Sequence, residues 1–199
     1  MTLLNTFDFE ENTEGWTYVY AEPPTLITPV PVVGDAGVEA GAPPPAAEGT
    51  ATVAYDSVGD PAGQGGSLVL GLPFAAPNQK ISIEVNAGDG TTGVSLAGRR
   101  LTARIRIDSG LATDPNNPAG LKLYVKTGAT SLYADSGFLN ILPGTDWQTF
   151  TWQNVSTPVY VDPAGTHTPI DVRQIGIEFA TGAAGVYTAA TIHLDTVAY

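Results

Sequence analysis

The 199 residues carry 23 glycines and 16 prolines, spread so that almost no window is long enough for an α-helix. Proline removes a backbone donor and clashes with the preceding turn, while glycine costs about 1 kcal/mol per helical position relative to alanine. Between these breakers the chain repeats one pattern: short runs in which apolar and polar residues alternate. TFDFE, SLVLGLPF, KISIEV, LTARIRID, LKLYVKT, WQTFTWQ, RQIGIEFAT and ATIHLDTVAY all show it. Side chains of a strand alternate between faces with period two, so each run has one face for a core and one for solvent. Turn sequences separate the runs: AGDGTTG, DPNNPAG, KTGAT, LPGTD and DPAGTHTP. Eight or more such strands imply an all-β fold, a two-sheet antiparallel β-sandwich, and 199 residues suit one domain.

One stretch departs from the pattern. Residues 21–49 hold seven of the 16 prolines in an Ala- and Gly-rich context. Proline donates nothing to a ladder, so this is not a central strand. Only about twenty residues precede it, and they include a strong strand-and-turn signal. It is expected to be a long insertion within the single domain 1–199.

Composition narrows the partners. Lys and Arg number 8 against 20 Asp and Glu, a formal net charge of −12. Such a chain repels phosphate backbones and anionic bilayers, so neither nucleic acid nor a membrane surface is an expected partner. No stretch approaches the roughly 18 continuous apolar residues of a membrane helix, and MTLLNTF has neither the basic nor the long apolar segment of a secretory leader. With no cysteine there are no disulfides, thiolate metal sites or cysteine nucleophiles.

The order of the motifs resembles a family, the carbohydrate-binding modules with a galactose-binding-domain-like β-jelly roll. FDFEENTEGW is similar to their opening strand, acidic turn and Gly-Trp. GSLVLGLPF is similar to their second strand, LKLYVKTGATSLYADSGFLNILPGTDWQTFTW to their middle, and VRQIGIEFATG with ATIHLDTVAY to their last two strands. The resemblance spans roughly 150 residues in pattern. It implies one sheet from 6–10, 101–108, 147–153 and 191–198, and an opposite, concave sheet from 67–72, 121–127, 132–141 and 173–181 that binds a glycan.

The resemblance also places sites. First and last strands are neighbours in such modules, and acids from both, with turn carbonyls, surround a structural Ca2+. Calcium takes six to eight oxygens at about 2.3–2.6 Å. Glu10 and Asp195 are the leading candidates and Asp8 the third; the competing reading is edge charge that discourages strand pairing. Ile192, Leu194 and Val197 cannot share one face of a regular strand, which places a bulge near Asp195. On the second sheet, alternation turns Lys122, Tyr124 and Lys126, then Gln174, Gly176 and Glu178, away from the core, with Tyr133 and Asp135 beside them. Tyr124, Tyr133, Lys122 and Glu178 form the candidate ligand-binding set, Gly176 leaving room for a sugar ring. The competing reading is a solvated face of cross-strand Lys–Glu pairs.

The remaining aromatics read as structural. Trp147, Phe150 and Trp152 are expected in the core, Trp16 as a cap of the sandwich, and Tyr18 and Tyr20 at a rim or under the proline-rich stretch. Catalytic signatures are weak: His167 and His193 lack metal-ligand spacing, and neither a nucleophile elbow nor a P-loop occurs. The resemblance implies a noncatalytic module for a neutral polysaccharide of β-glucan or mannan type, extracellular or at the cell surface and appended to a larger secreted enzyme or surface protein. A structural or adhesive jelly-roll domain is the first alternative, and a small polysaccharide lyase or hydrolase the second.

Overall fold

The computed structural model describes residues 6–9, 12–22, 51–57, 66–89, 91–112, 116–142 and 144–199. Glu10 and nearly all of the proline-rich insertion, beyond Glu22, lie outside the described residues. Among the described residues thirteen strands follow one another: β1 (Thr6–Phe7), β2 (Thr17–Glu22), β3 (Thr52–Asp56), β4 (Ser67–Leu72), β5 (Lys80–Asn86), β6 (Leu101–Ala112), β7 (Gly120–Thr127), β8 (Leu132–Asp135), β9 (Leu139–Asn140), β10 (Gln148–Trp152), β11 (Tyr160–Val161), β12 (Val172–Ala180) and β13 (Tyr187–Ala198). All pairings between them are antiparallel, and no described residue is helical.

Two sheets result. The first runs β10-β6-β13-β4-β3, with β1 added to β13; the second runs β11-β8-β7-β12-β5-β2, with β9 added to β7. The first and last strands are neighbours as expected, with Thr6 opposite Ala198 and Phe7 opposite Val197. The expected bulge is present too, as a register shift between Leu194 and Val197. One assignment is corrected. Residues 67–72 belong to the first sheet, where Leu68 and Leu70 lie opposite Leu194 and Ile192. Alternation tells which side of a strand is buried and nothing about its neighbours, so the sequence pattern could not decide this. A second correction concerns 132–141, which is two short strands separated by Gly137 at φ 76°.

The core lies between the sheets. It is built from the alternate residues the runs announced: Leu68, Leu70 and Leu72; Ile81, Ile83 and Val85; Ala103, Ile105 and Ile107; Leu121, Leu123 and Val125; Ile175, Ile177 and Phe179. Each fully buried Leu, Ile or Phe contributes about 1.5–3 kcal/mol. Trp16 closes one end, buried edge-on against Phe7 and Phe9 at centroid distances of 5.7 and 6.3 Å. Phe150 and Trp152 are core residues as expected. Trp147 is not: it is half-buried, and the guanidinium carbons of Arg104 and Arg106 lie 4.7 and 5.3 Å from its ring centroid. Arg104 and Arg106 alternate with the core-facing Ala103, Ile105 and Ile107, so Trp147 packs on the outer side of the first sheet.

Candidate functional site

The outer face of the second sheet is fixed by strand register. With Ile175, Ile177 and Phe179 turned inward, β12 presents Gln174, Gly176, Glu178 and Ala180 outward. Cross-strand partners share a face, so each of these heads a row. Gly176 lies between Glu84 and Tyr124, with Asp135 and Tyr160 continuing the row through β8 and β11. Glu178 lies between Ser82 and Lys122, and Gln174 between Asn86 and Lys126, with Tyr133 next. Register thus brings Tyr124, Tyr133, Lys122 and Glu178 to one face, as the alternation required.

The rings are layered rather than side by side. A β-carbon at Gly176 would overlap the Tyr124 ring. The space expected to admit a sugar is therefore filled by Tyr124, which is 2% exposed. Its hydroxyl donates to Glu84 Oε2 at 3.0 Å, which holds the ring flat across β12. Tyr133 stacks on Tyr124 with centroids 5.0 Å apart and planes 29° apart, and Tyr160, 50% exposed, lies 6.2 Å from Tyr133. Tyr124 is thus a support beneath the surface, and the reachable rings are those of Tyr133 and Tyr160. Alternation reads direction and not depth, so it could not separate these roles.

Around the rings the polar groups are paired. Lys122 Nζ lies 3.0 Å from Asp135 Oδ2 and 3.7 Å from Glu178 Oε1, and Lys126 Nζ lies 2.6 Å from Glu84 Oε2. Burial works against the Lys122 charge, but Asp135 and Glu178 outweigh it and raise the ammonium pKa. Burial also pushes both phenols up, assisted mainly by Glu84 at Tyr124 and by Glu178 and Asp135 at Tyr133. Both tyrosines stay protonated donors at any physiological pH. The Tyr133 hydroxyl and Glu178 Oε1 are buried without a hydrogen-bond partner, an uncommon state for such atoms in a folded protein.

The sequence reasoning missed Tyr160. Its signal was TPVYVDPAG, an alternating scrap between two prolines that yields a strand of only two residues.

At the other candidate site, Asp195 is 8% exposed at its side chain and holds Arg104 Nη1 at 2.7 Å. Asp8 is exposed and interacts instead with Glu14, a residue the sequence reading passed over as part of a turn. Burial and the Asp8 charge raise the Glu14 pKa, and Glu14 Oε2 is buried without a donor. Phe9 and Glu14 both sit at positive φ, 55° and 48°. Among the described residues no group of three or more His, Asp or Glu is spaced to hold a metal. A carboxylate pair with an orphaned oxygen does fit a hard cation, whereas Asp195 is already paired with the Arg104 guanidinium.

On the first sheet Ser67 Oγ lies 2.8 Å from His193 Nδ1, and His193 Nε2 lies 3.9 Å from Asp108 Oδ2. The order mimics a hydrolase triad, but Ser67 is fully buried, and a nucleophile must reach its substrate.

No protein-family model matches the sequence, and neither does any curated protein. Solved structures do match. The family 11 carbohydrate-binding module of Clostridium thermocellum, in complex with a β-1,3-1,4-mixed-linked tetrasaccharide, is 12% identical with a TM-score of 0.53, covering 97% of this chain and 92% of its own. The xylan-binding domain of carbohydrate-binding module family 22 is 12% identical with a TM-score of 0.48, covering 98% and 92%. A carbohydrate-binding module described for specific mannan recognition, TmCBM27, is 13% identical with a TM-score of 0.45, covering 99% and 95%. The chain has the two-sheet antiparallel β-sandwich fold of the family 11 carbohydrate-binding module, the fold that the order of its sequence motifs resembles.

Proposed function

We propose that this domain is a noncatalytic carbohydrate-binding module that takes a neutral polysaccharide of β-glucan or mannan type on the outer face of its second sheet. The observation that carries the reading is the layered face itself: Tyr133 and Tyr160 offer ring surface, and Lys122, Glu178, Lys126 and Glu84 surround it with fixed donors and acceptors. Sugars present apolar C–H faces to rings and hydroxyls to planar polar groups, and a preorganised face loses little entropy on binding. The net charge of −12 disfavours polyanionic glycans. An extracellular or surface location, in a larger secreted enzyme or surface protein, follows from this reading.

The reading includes a structural calcium at the N-terminal loop. Asp8 and Glu14 support it, with Glu10 as the sequence candidate beyond the described residues. Asp195, the other sequence candidate, is held by Arg104 instead.

Affinity electrophoresis through gels containing soluble mixed-linkage β-glucan, galactomannan, xylan or no polysaccharide tests the function. Retardation by the first or second is expected, with loss in Tyr133→Ala and Tyr160→Ala. Migration unaffected by every polysaccharide would replace this reading with that of a structural or adhesive domain.

A further inference from the structure

A second aromatic seat lies on the same face, away from the tyrosines. On β7, Leu121, Leu123 and Val125 face the core, so Gly120, Lys122 and Tyr124 succeed one another outward. A β-carbon at Gly120 would overlap Cε1 and Cζ of Phe138. The Phe138 ring therefore lies across the outer side of the β7 backbone, as Tyr124 lies across Gly176. The break between β8 and β9 delivers it there: Gly137 turns at φ 76°, and pairing resumes with Leu139 opposite Leu121. Phe138 is 44% exposed and lies outside the hydrophobic core. Exposed phenylalanine set flush on a glycine is an apolar surface held at fixed height and tilt.

The outer face thus has an order along β7. Phe138 sits over Gly120, the Lys122–Glu178 pair follows, and Tyr124 with Tyr133 stacked upon it comes next. From Gly120 to Tyr124 is four residues, about 13 Å at strand rise. One sugar ring reaches only one of the two platforms. An extended chain reaches both and passes its hydroxyls over the ion pair between them. We propose that Phe138 is a second stacking platform of this face, so that the domain holds an extended stretch of polysaccharide rather than a single sugar. This rests on the glycan reading given above.

The test uses the full chain and two probes, soluble mixed-linkage β-glucan in affinity gels and a disaccharide and a hexasaccharide of the same glucan by titration calorimetry; if only galactomannan retards the wild type, the equivalent manno-oligosaccharides replace them. Phe138→Ala should weaken polymer and hexasaccharide binding about tenfold, the cost of one lost stacking ring, and leave disaccharide binding unchanged. Phe138→Tyr should restore the affinity. Phe138→Leu keeps apolar volume without a flat ring and should behave as alanine does, which guards against a variant that merely misfolds. Wild-type retardation with Phe138→Ala migrating identically would overturn the platform and leave the glycan reading intact. Absence of wild-type retardation in either polysaccharide would overturn both.

Discussion

Gly176 and Tyr124 stand opposite each other on β12 and β7, and the tyrosine ring occupies the volume that any side chain at 176 would need. The ring tip cannot retreat easily, because its hydroxyl is bound to Glu84 and Tyr133 lies on top of it. Gly176→Ala should destabilise by about 1–3 kcal/mol, the range for overpacking, which for a domain of this size lowers the melting temperature by about 2–4 °C per kcal/mol. In a Tyr124→Ala background the same change should cost much less, and a double-mutant cycle measures the coupling. Additive costs would mean that the ring moves freely.

Glycan affinity should divide the tyrosines by depth. Tyr160→Ala should weaken polysaccharide binding about tenfold, or 1.4 kcal/mol, with an unchanged melting curve. Tyr133→Ala should weaken it at least as much, since Tyr133 is both platform and cover for Tyr124. Arg104→Ala, on the other sheet, should leave binding untouched while lowering stability through Asp195. If Tyr160→Ala binds like the wild type, the contact surface lies elsewhere.

Calcium should act through Asp8 and Glu14. A ligand bound only to the folded state stabilises by about 2.7 kcal/mol at a hundred times its dissociation constant, so EDTA should lower the melting temperature by about 5–10 °C and calcium restore it. Glu14→Gln should abolish that response and, in EDTA, melt above the wild type because its repulsion with Asp8 is gone. The sign with pH follows from the raised Glu14 pKa: without metal, its contribution is present at low pH and lost as pH rises through the folded value. Identical melting curves in calcium and EDTA would remove the metal from the proposal.

His193 should give the opposite pH dependence. Burial, then Arg106, lowers its pKa, against smaller contributions from Asp108 and Asp56. The folded state therefore favours the neutral ring, whose Nδ1 lies 2.8 Å from Ser67 Oγ. Stability from this group is complete above about pH 6.5, the unfolded value, and is lost as pH falls toward the depressed folded value. In Glu14→Gln, where that carboxyl no longer titrates, melting temperature should fall between pH 6.5 and 5, and His193→Gln should flatten the slope. A slope that survives His193→Gln assigns the titration to another group.

The sequence disclosed the strands because burial itself imposes the alternation of Leu121, Leu123 and Val125 or of Ile175, Ile177 and Phe179. It disclosed the outward set Lys122, Tyr124 and Glu178 for the same reason. Quantities that depend on two strands at once stayed hidden. That Tyr124 is buried depends on Gly176 lying opposite it, and the sheet that holds 67–72 depends on its pairing with β13. Tyr160 and Phe138 were invisible because one sits in a two-residue strand and the other in a strand break, both too short to show a period. Glu14 was hidden by its turn, where alternation says nothing about which side chains meet, and its carboxyl interacts with Asp8.

The pairing of Thr6 with Ala198 and Phe7 with Val197 has a mechanical meaning for a domain anchored through its neighbours in a longer chain. Tension entering at Thr6 and leaving beyond Ala198 acts across an antiparallel pair at its open end. It separates the pair one rung at a time instead of loading several rungs in parallel. Yet β13 is also held by β6 along most of its length and by β4 up to Leu194. A modest pull should therefore peel β1 alone, letting the tether lengthen by a few residues while the sheet bearing the tyrosines, which contains neither terminal strand, keeps its shape and its load.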